Sequence, residues 1–470
     1  MKPRLIFLIG IFLRFAVAVP LPAQMDDAVK QLARDIYKQL IEINTADSVG
    51  NTTVAAEAMA KRLRDAGYSE SDIFVGGPNE RKGNLVARLH GTGAHTPILL
   101  ICHLDVVEAR REDWSVDPFQ FLEKDGYFWG RGTIDVKSGD TFLMMAMIRM
   151  KQEGFTPDRD IILALTADEE GGNFNGVDWL IRNHRELIDA EYILNPDAGT
   201  FQLVDGKRSV VAIQASEKRY QDYEFKVTNP GGHSSLPVAD NAIYHLAEGL
   251  TRLERYKFPF ELNEVTRAYF ERMSGIFGGP VGADMKAITL DPPDLAAIAR
   301  LSNLPFYNGA THTTCVATRL EAGHANNALP QMARAVVNCR ILPGHSSEET
   351  RATLERIVAD PKISVTPIFG GAGGGLSNPP SPLRADLMSA LEKVSTQMWP
   401  GVTVVPVMEV GASDGAISRA AGFPTYGISG MWLDVNDDRS HGRDERLPVW
   451  SFYDGVEFYY RFLKVLTSPQ

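Results

Sequence analysis

Largely apolar strand-like runs alternate with helical segments in the first half of the chain, and this alternation limits the fold more than any other feature. Residues 84–89, 97–102 and 161–166 have the composition of buried strands, and residues 141–152 form an apolar segment of helical length. Strands that are apolar along their length are covered on both faces, and their alternation with helices is typical of an α/β sheet. The sequence therefore predicts an α/β domain with helices on both faces of its sheet.

The middle of the chain has a different pattern. Strand, helix, strand, helix and strand follow one another, as in a small α+β domain of the ferredoxin-like type; these elements are at residues 223–228, 242–255, 335–342, 347–359 and 363–368. Residues 257–310 contain prolines, acidic residues and little periodicity, and we interpret them as an insertion in this smaller domain. A glycine cluster at residues 370–375 is typical of a hinge.

The length of the chain agrees with more than one domain. At 470 residues it is too long for a single ordinary core. We therefore predict that residues 24–215 and 371–470 form one α/β domain, which is interrupted by a second domain at residues 216–370.

The N-terminus has the layout of a secretory signal peptide. Lys2 and Arg4 precede a largely apolar stretch at residues 5–19, and small residues suitable for cleavage follow, at Ala18 or Ala23. A membrane anchor and a buried N-terminal helix are the alternatives. We predict a signal peptide at residues 1–23, no membrane span after it, and a secreted or periplasmic protein.

Charge and cysteine content exclude several functions. The net charge of −11 leaves no basic excess to neutralise phosphates, so nucleic acid is not the expected partner. Cys102, Cys315 and Cys339 form neither a disulfide framework nor a zinc knuckle by their spacing. We expect ordinary burial for Cys102 and Cys339, and no cysteine nucleophile. The sequence also lacks the G-x-S-x-G elbow of serine hydrolases.

Polar residues follow the predicted strands, where ligands of an α/β sheet bind. His103 and Asp105 end one strand and share a face, so His103 could bind a metal while Asp105 holds its ring. A surface pair is the alternative. Asp135 follows a glycine-rich segment and could bridge two cations, or it could cap the helix that begins near Ser138.

Three acids, Asp168, Glu169 and Glu170, follow the strand at residues 161–166. They repel one another unless a cation or a helix N-terminus compensates them, and a solvated acidic turn is the alternative. Neighbouring glutamates point in different directions, so one can bind metal while the other takes a proton from water. With Asp197 and His441, the chain offers a nitrogen and oxygen ligand set that suits zinc, with cobalt or manganese as lesser candidates.

The motifs together resemble a known family. They are His-x-Asp-Val-Val at residues 103–107, Trp-Gly-Arg-Gly-x-x-Asp-x-Lys at 129–137, Asp-Glu-Glu-x-Gly at 168–172, Gly-Gly-His-Ser-Ser at 231–235 and His-Gly at 441–442. In this order they resemble the co-catalytic zinc peptidases that include aminoacylase, glutamate carboxypeptidase and succinyl-diaminopimelate desuccinylase. Carboxypeptidase S-like members are the most similar, through Trp114, Thr313-Thr314 and Glu445-Arg446. Glu108 departs from their pattern, which usually has proline there.

The resemblance implies a fold and a role for each site residue. The fold is an α/β catalytic domain with a central mixed sheet, interrupted by a ferredoxin-like lid domain at residues 216–370. Asp135 would bridge two Zn²⁺ ions, of which one is completed by His103 and Asp197 and the other by Glu170 and His441. The peptide bond after Asp135 is cis in this family.

The remaining roles concern catalysis and substrate. By resemblance, Asp105 orients His103, Glu169 is the general base, and the lid residue His233 stabilises the oxyanion, often from a partner subunit. Asn327 and Arg340 match lid positions that bind the substrate's carboxylate.

These roles imply a metal-dependent hydrolase of small peptides, of carboxypeptidase or dipeptidase type. An aminoacylase acting on N-acyl amino acids is the first alternative. An inactive relative that binds metal or peptide is the alternative from another class, and it predicts the loss of a ligand or of the base. Both a monomer and a homodimer formed through the lid remain open.

Overall fold

The computed structural model describes residues 25–368, 378–434 and 436–469. The predicted signal peptide at residues 1–23 and the glycine hinge at 370–375 lie outside the described residues. Among the residues described, no helix combines the length and apolar character required to cross a membrane.

Helices and strands alternate along most of the chain. The helices are α1 (Asp27–Glu42), α2 (Thr52–Asp65), α3 (Lys137–Gln152), α4 (Gly176–Asn183), α5 (Arg185–Ile188), α6 (Ala242–Arg255), α7 (Glu264–Phe277), α8 (Gly279–Ala287), α9 (Leu295–Leu301), α10 (Pro305–Thr311), α11 (Ser347–Val358), α12 (Ala385–Met398), α13 (Asp414–Ala420) and α14 (Val449–Leu466). The strands are β1 (Ile73–Gly76), β2 (Asn84–Leu89), β3 (Ile98–His103), β4 (Leu122–Lys124), β5 (Tyr127–Trp129), β6 (Ile161–Thr166), β7 (Tyr192–Asn195), β8 (Phe201–Val204), β9 (Lys207–Glu217), β10 (Arg219–Thr228), β11 (Gly232–His233), β12 (Thr314–Ala322), β13 (Ala328–Leu329), β14 (Met332–Ile341), β15 (Ser364–Ile368), β16 (Thr403–Glu409), β17 (Thr425–Gly427), β18 (Trp432–Leu433) and β19 (Arg446–Pro448).

A large mixed sheet forms the centre of the larger domain. In the part of the chain that the structure describes, it has ten strands in the order β1-β2-β6-β3-β7-β17-β9-β8-β18, with β16 paired to β9. Strand β3 is buried on both faces: Leu100 packs into the core formed with α1, α3 and α14, and Leu99 packs toward α4 and α13. The predicted α/β sheet with helices on both faces is confirmed.

The smaller sheet has the order β12-β14-β10-β15, and its described pairs are antiparallel. Helices α6 and α11 pack against it through Leu246, Leu253 and Leu354. Along the chain the order is β10, α6, β12, β14, α11 and β15, which is the ferredoxin-like β-α-β-β-α-β arrangement. Strand β12 was not predicted, because it lies at the sheet edge and most of its side chains are exposed.

Residues 257–310 are inserted between α6 and β12 of the smaller domain, as predicted, but their helices and their packing were not predicted. The segment contains four helices, α7 to α10, of which α7 packs against the large sheet, where Phe270 and Met273 meet Val405 and Val407. Helices α8 to α10 have seven to nine residues, so they leave no long period of apolar residues in the sequence. Helix α7 has 14 residues and does carry such a period, which was missed.

Cys339 is buried, as expected, but it is not a free thiol. Cys339 on β14 lies directly opposite Cys315 on β12, and the two form a disulfide. The pairing could not be predicted while the edge strand β12 was missing from the prediction. Cys102 is buried and free, as expected.

Candidate active site

Three neighbouring strands of the large sheet end at the same place. Strand β3 runs parallel to β6 on one side and to β7 on the other. His103 is the last residue of β3, Glu170 follows β6, and Asp197 follows β7. Because the carboxyl ends of parallel strands meet at one edge, the sheet brings these three side chains together.

Asp135 joins them into two groups of candidate metal ligands. Its Oδ1 lies 3.2 Å from His103 Nε2, which is also 3.5 Å from Asp197 Oδ1. Its Oδ2 lies 3.0 Å from His441 Nε2, which is 2.9 Å from Glu170 Oε2. One carboxylate therefore takes part in two groups of donors. Within each group, all the ligand atoms lie within 4.8 Å of one another. The helix after it begins at Lys137 with Val136 as its cap, so Asp135 does not cap that helix, and the Asp135–Val136 peptide bond is cis.

The donor atoms are compatible with cations at both positions. His103 Nε2 and Glu170 Oε1 are buried without a hydrogen-bond partner, which is costly unless a ligand satisfies them. Burial and the charge of Asp135 raise the pKa of Glu170 to about 7 despite its hydrogen bond to His441. Hydrogen bonds to Asp135 and Glu170 raise the pKa of His441 to about 10. The site therefore attracts positive charge strongly, and imidazole and carboxylate donors suit zinc.

Asp105 acts on its neighbours differently from the expectation. His103 Nδ1 lies 3.0 Å from the backbone carbonyl of Asp105 and 3.8 Å from its carboxylate. The carboxylate instead accepts the backbone N–H groups of Glu169 and Glu170, at 3.1 and 3.0 Å. Asp105 therefore holds the ring through its main chain, and its side chain fixes the acidic turn.

Glu169 lines a cleft of about 260 Å³ that lies over the two ligand groups. Asp135, Glu170, Asp197 and His441 also line this cleft. Burial and the negative charge of Asp197 raise the pKa of Glu169 well above its ordinary value. Glu169 belongs to neither of the two ligand groups, so its carboxylate is available to exchange a proton.

Further acids near the cleft were missed from the sequence. Glu217 lines it and pairs with the buried Arg419 at 3.1 Å. Asp414 is buried and accepts a hydrogen bond of 2.6 Å from Asn175 Nδ2, and burial raises its pKa to about 7. A signal for Asp414 existed, because it follows the apolar strand at 403–409 much as Asp197 follows β7.

Of the three residues expected on the lid, His233 and Asn327 lie close together, whereas Arg340 lies at the other end of β14, and none of the three lines the cleft. His233 is exposed on β11, which pairs with β13, and Ser234 N–H donates to the Asn327 carbonyl at 3.1 Å. His233 Nδ1 lies 2.7 Å from Ser235 Oγ. Arg340 on β14 is half-buried, and its guanidinium carbon is 4.7 Å from the centre of the Tyr220 ring.

Sequence comparisons place the chain among known proteins. The model of peptidase family M20/M25/M40 matches residues 99–465. Probable carboxypeptidase S-like 2 of Dictyostelium discoideum is 29% identical over 377 residues, which cover 78% of this chain and 71% of that protein. The human N-fatty-acyl-amino acid synthase/hydrolase PM20D1 is 28% identical over 383 residues, which cover 80% of this chain and 75% of that protein.

A solved structure has the same fold. The M20 family metallo-carboxypeptidase Sso-CP2 from Sulfolobus solfataricus superposes with a TM-score of 0.67 at 15% identity, over 94% of this chain and 99% of that one. The family match spans most of the chain and includes the segments that carry both ligand groups. The chain therefore belongs to peptidase family M20/M25/M40, which identifies it as a metal-dependent hydrolase of amide bonds.

Proposed function

We propose that this chain uses two zinc ions to cut the amide bond of a small peptide with a free carboxylate on its leaving residue. The observation that carries the proposal is the position of Asp135, whose two carboxylate oxygens face two separate groups of donors. His103 and Asp197 would complete one metal site, and Glu170 and His441 the other. Bound zinc, or cobalt or manganese in its place, would polarise the scissile carbonyl and promote attack by water at neutral pH.

Glu169 is the proposed general base. Its carboxylate takes a proton from the attacking water and then donates that proton to the leaving nitrogen. A raised pKa suits a group that has to accept and return a proton. The Asp105 carboxylate accepts the backbone N–H groups of both Glu169 and Glu170, so it fixes the position of the base relative to the neighbouring metal ligand.

The lid residues would complete the site around the substrate. We assign oxyanion stabilisation to His233, and binding of the substrate's carboxylate to Asn327 and Arg340. Their position on the smaller domain implies that they reach the cleft when the lid closes, or from a partner subunit. A planar guanidinium such as Arg340 matches the geometry of a carboxylate.

Hydrolysis of N-acyl amino acids is the second candidate function. It is favoured by the similarity to PM20D1, which is named as an N-fatty-acyl-amino acid synthase/hydrolase. Both substrate classes share the amide bond and the free carboxylate, so the same residues would act on both. They differ in the acyl side, where a peptide brings an ammonium group and a fatty acid brings an apolar chain.

We also propose that the protein is exported and forms a homodimer through the lid. The Cys315–Cys339 disulfide supports export, because such bonds persist in oxidising compartments. Strand β12 supports the dimer, since it is an edge strand whose Val316 and Leu320 are 60% and 69% exposed. Sedimentation of the wild type and of Leu320→Lys tests the dimer: we expect a dimeric wild type and a weakened dimer in the variant. A monomeric wild type would contradict the dimer.

The function is tested by hydrolysis of a panel of dipeptides and N-acyl amino acids with the chain lacking residues 1–23. Zinc is removed with a chelator and then restored, and Glu169→Gln and the exposed control Glu112→Gln are assayed alongside. We expect zinc-dependent turnover that falls at least ~100-fold in Glu169→Gln with both metals retained. Full turnover by Glu169→Gln would refute its role, and zinc binding without turnover of any substrate would favour the inactive relative.

A further inference from the structure

The carboxylate of Glu445 accepts four hydrogen bonds from the segment that carries Asp135. Its Oε1 accepts the backbone N–H groups of Ile134 at 2.6 Å and Asp135 at 3.0 Å. Its Oε2 accepts the N–H of Gly132 at 3.0 Å and the Arg131 guanidinium at 2.6 Å. Glu445 is fully buried, and it follows His441 by only four residues. One side chain thus links the two segments that supply Asp135 and His441.

Arg131 strengthens the same link from the other side. Its Nη1 donates to Glu445, and its Nη2 donates to the carbonyl of Gly442 at 2.8 Å, directly after His441. The guanidinium carbon lies 5.0 Å from the centre of the Trp114 ring, which is itself buried. The backbone also contributes, because Gly130 N–H donates to the Glu445 carbonyl at 3.2 Å.

The two ligand groups differ in how their histidines are supported. His103 ends a central strand, is 1% exposed, and has its second ring nitrogen bonded to a backbone carbonyl. The side chain of His441 is 58% exposed, and the residue lies between β18 and β19 with a positive φ of 59°. Its position relative to Asp135 therefore depends on the contacts of the segment around it, of which those of Glu445 and Arg131 are buried.

We propose that Glu445 is a positioning residue that sets the distance between Asp135 and His441, and thereby the affinity of the second cation, held by Asp135, Glu170 and His441. This inference rests on the proposed two-metal function. The site of His103 and Asp197 depends on Glu445 less, because strands β3 and β7 position its other two ligands. A purely structural role, in which Glu445 only neutralises the buried Arg131, predicts no difference between the two cations.

Zinc binding by the full chain without residues 1–23 tests the inference, measured by competition with a chelator of known affinity. Glu445→Gln keeps the size of the side chain but turns an acceptor oxygen into a donor that faces backbone N–H groups. We expect the wild type to bind two zinc ions. In Glu445→Gln, the affinity for the first zinc should stay within about threefold of the wild-type value, and the affinity for the second should fall at least tenfold. Arg443→Gln, an exposed change in the same segment, should leave both affinities unchanged.

A second variant separates positioning from charge balance. Glu445→Gln with Arg131→Met removes the unpaired buried cation, so it should recover thermal stability while the second zinc remains weak. In the cobalt-loaded Glu445→Gln variant, the visible spectrum of the second cobalt bound should differ from that of the wild type, and the spectrum of the first should not. If Glu445→Gln does not fold, Arg131→Lys takes its place, because the lysine ammonium lacks the planar fork with which Arg131 presents separate donors to Glu445 and Gly442.

The outcomes are distinct. Equal weakening of both zinc ions, or recovery of the second site in the double variant, would overturn the positioning role and leave the proposed function intact. A wild type that binds fewer than two zinc ions would overturn both proposals.

Discussion

A buried ion pair behind the acidic turn offers a direct test of how the turn is held. Lys82 Nζ contacts Asp168, and their side chains are 8% and 1% exposed. Asp168 precedes Glu169, has a positive φ of 58°, and accepts the N–H of Phe174 at 3.1 Å. Lys82→Met leaves the Asp168 carboxylate buried without its cation, which costs about 3–5 kcal/mol. The second partner, Asp47, is 58% exposed and adds less than about 1 kcal/mol.

The assay is urea unfolding of the metal-free protein, since bound cations would add stability of their own. We expect Lys82→Met to lose about 3–5 kcal/mol of unfolding free energy. The double variant with Asp168→Asn should recover most of this loss, because an amide needs no counterion and asparagine tolerates a positive φ. A loss below about 1 kcal/mol in Lys82→Met, or a double variant no more stable than the single one, would refute the reasoning.

Three further predictions concern the smaller domain. Replacing Cys315 and Cys339 by alanine opens a link across 24 residues and should cost about 3 kcal/mol in urea unfolding. An unchanged midpoint would contradict this. Burial and the charge of Arg340 lower the pKa of Lys218 from 10.5 to about 7; unfolding therefore takes up a proton at Lys218 between these values, so from about pH 7 to 10 stability should rise with pH more steeply in the wild type than in Lys218→Met. Arg340→Ala should raise KM at least ~10-fold for substrates with a free carboxylate and leave kcat nearly unchanged, whereas a fall in kcat alone would exclude a binding role.

The regular parts of the fold could be predicted because burial leaves a pattern in the sequence. Strand β6 and helix α6 have the predicted bounds, and each is apolar on the face or faces that it buries. Strand β12 and helices α7 to α10 were not predicted, for different reasons. The strand is exposed at a sheet edge, and helices α8 to α10 are too short for a clear period. Helix α7 is as long as α6 and buries apolar residues at helical spacing, so its signal was present and was missed.

The candidate site divides in the same way. The ligand residues could be proposed because histidines and acids directly follow apolar strands, and the structure does bring His103, Asp135 and His441 together. The groups that hold them left no such signal. Glu445 reaches Gly132 across 313 positions and Lys82 reaches Asp168 across 86, so these contacts exist only after folding. Asp105 was placed correctly, but which of its groups holds the ring depends on the local main-chain geometry.

The central claim is that Asp135 holds two cations at once. Its most direct test is the zinc content of the dialysed protein, measured by mass spectrometry of the metal, in the wild type and in Asp135→Ala. We expect two zinc ions per chain in the wild type and weakened binding at both sites in Asp135→Ala, because each ligand group loses one carboxylate oxygen. A wild type that saturates at one zinc ion, or an Asp135→Ala variant that retains two with unchanged affinity, would contradict the account.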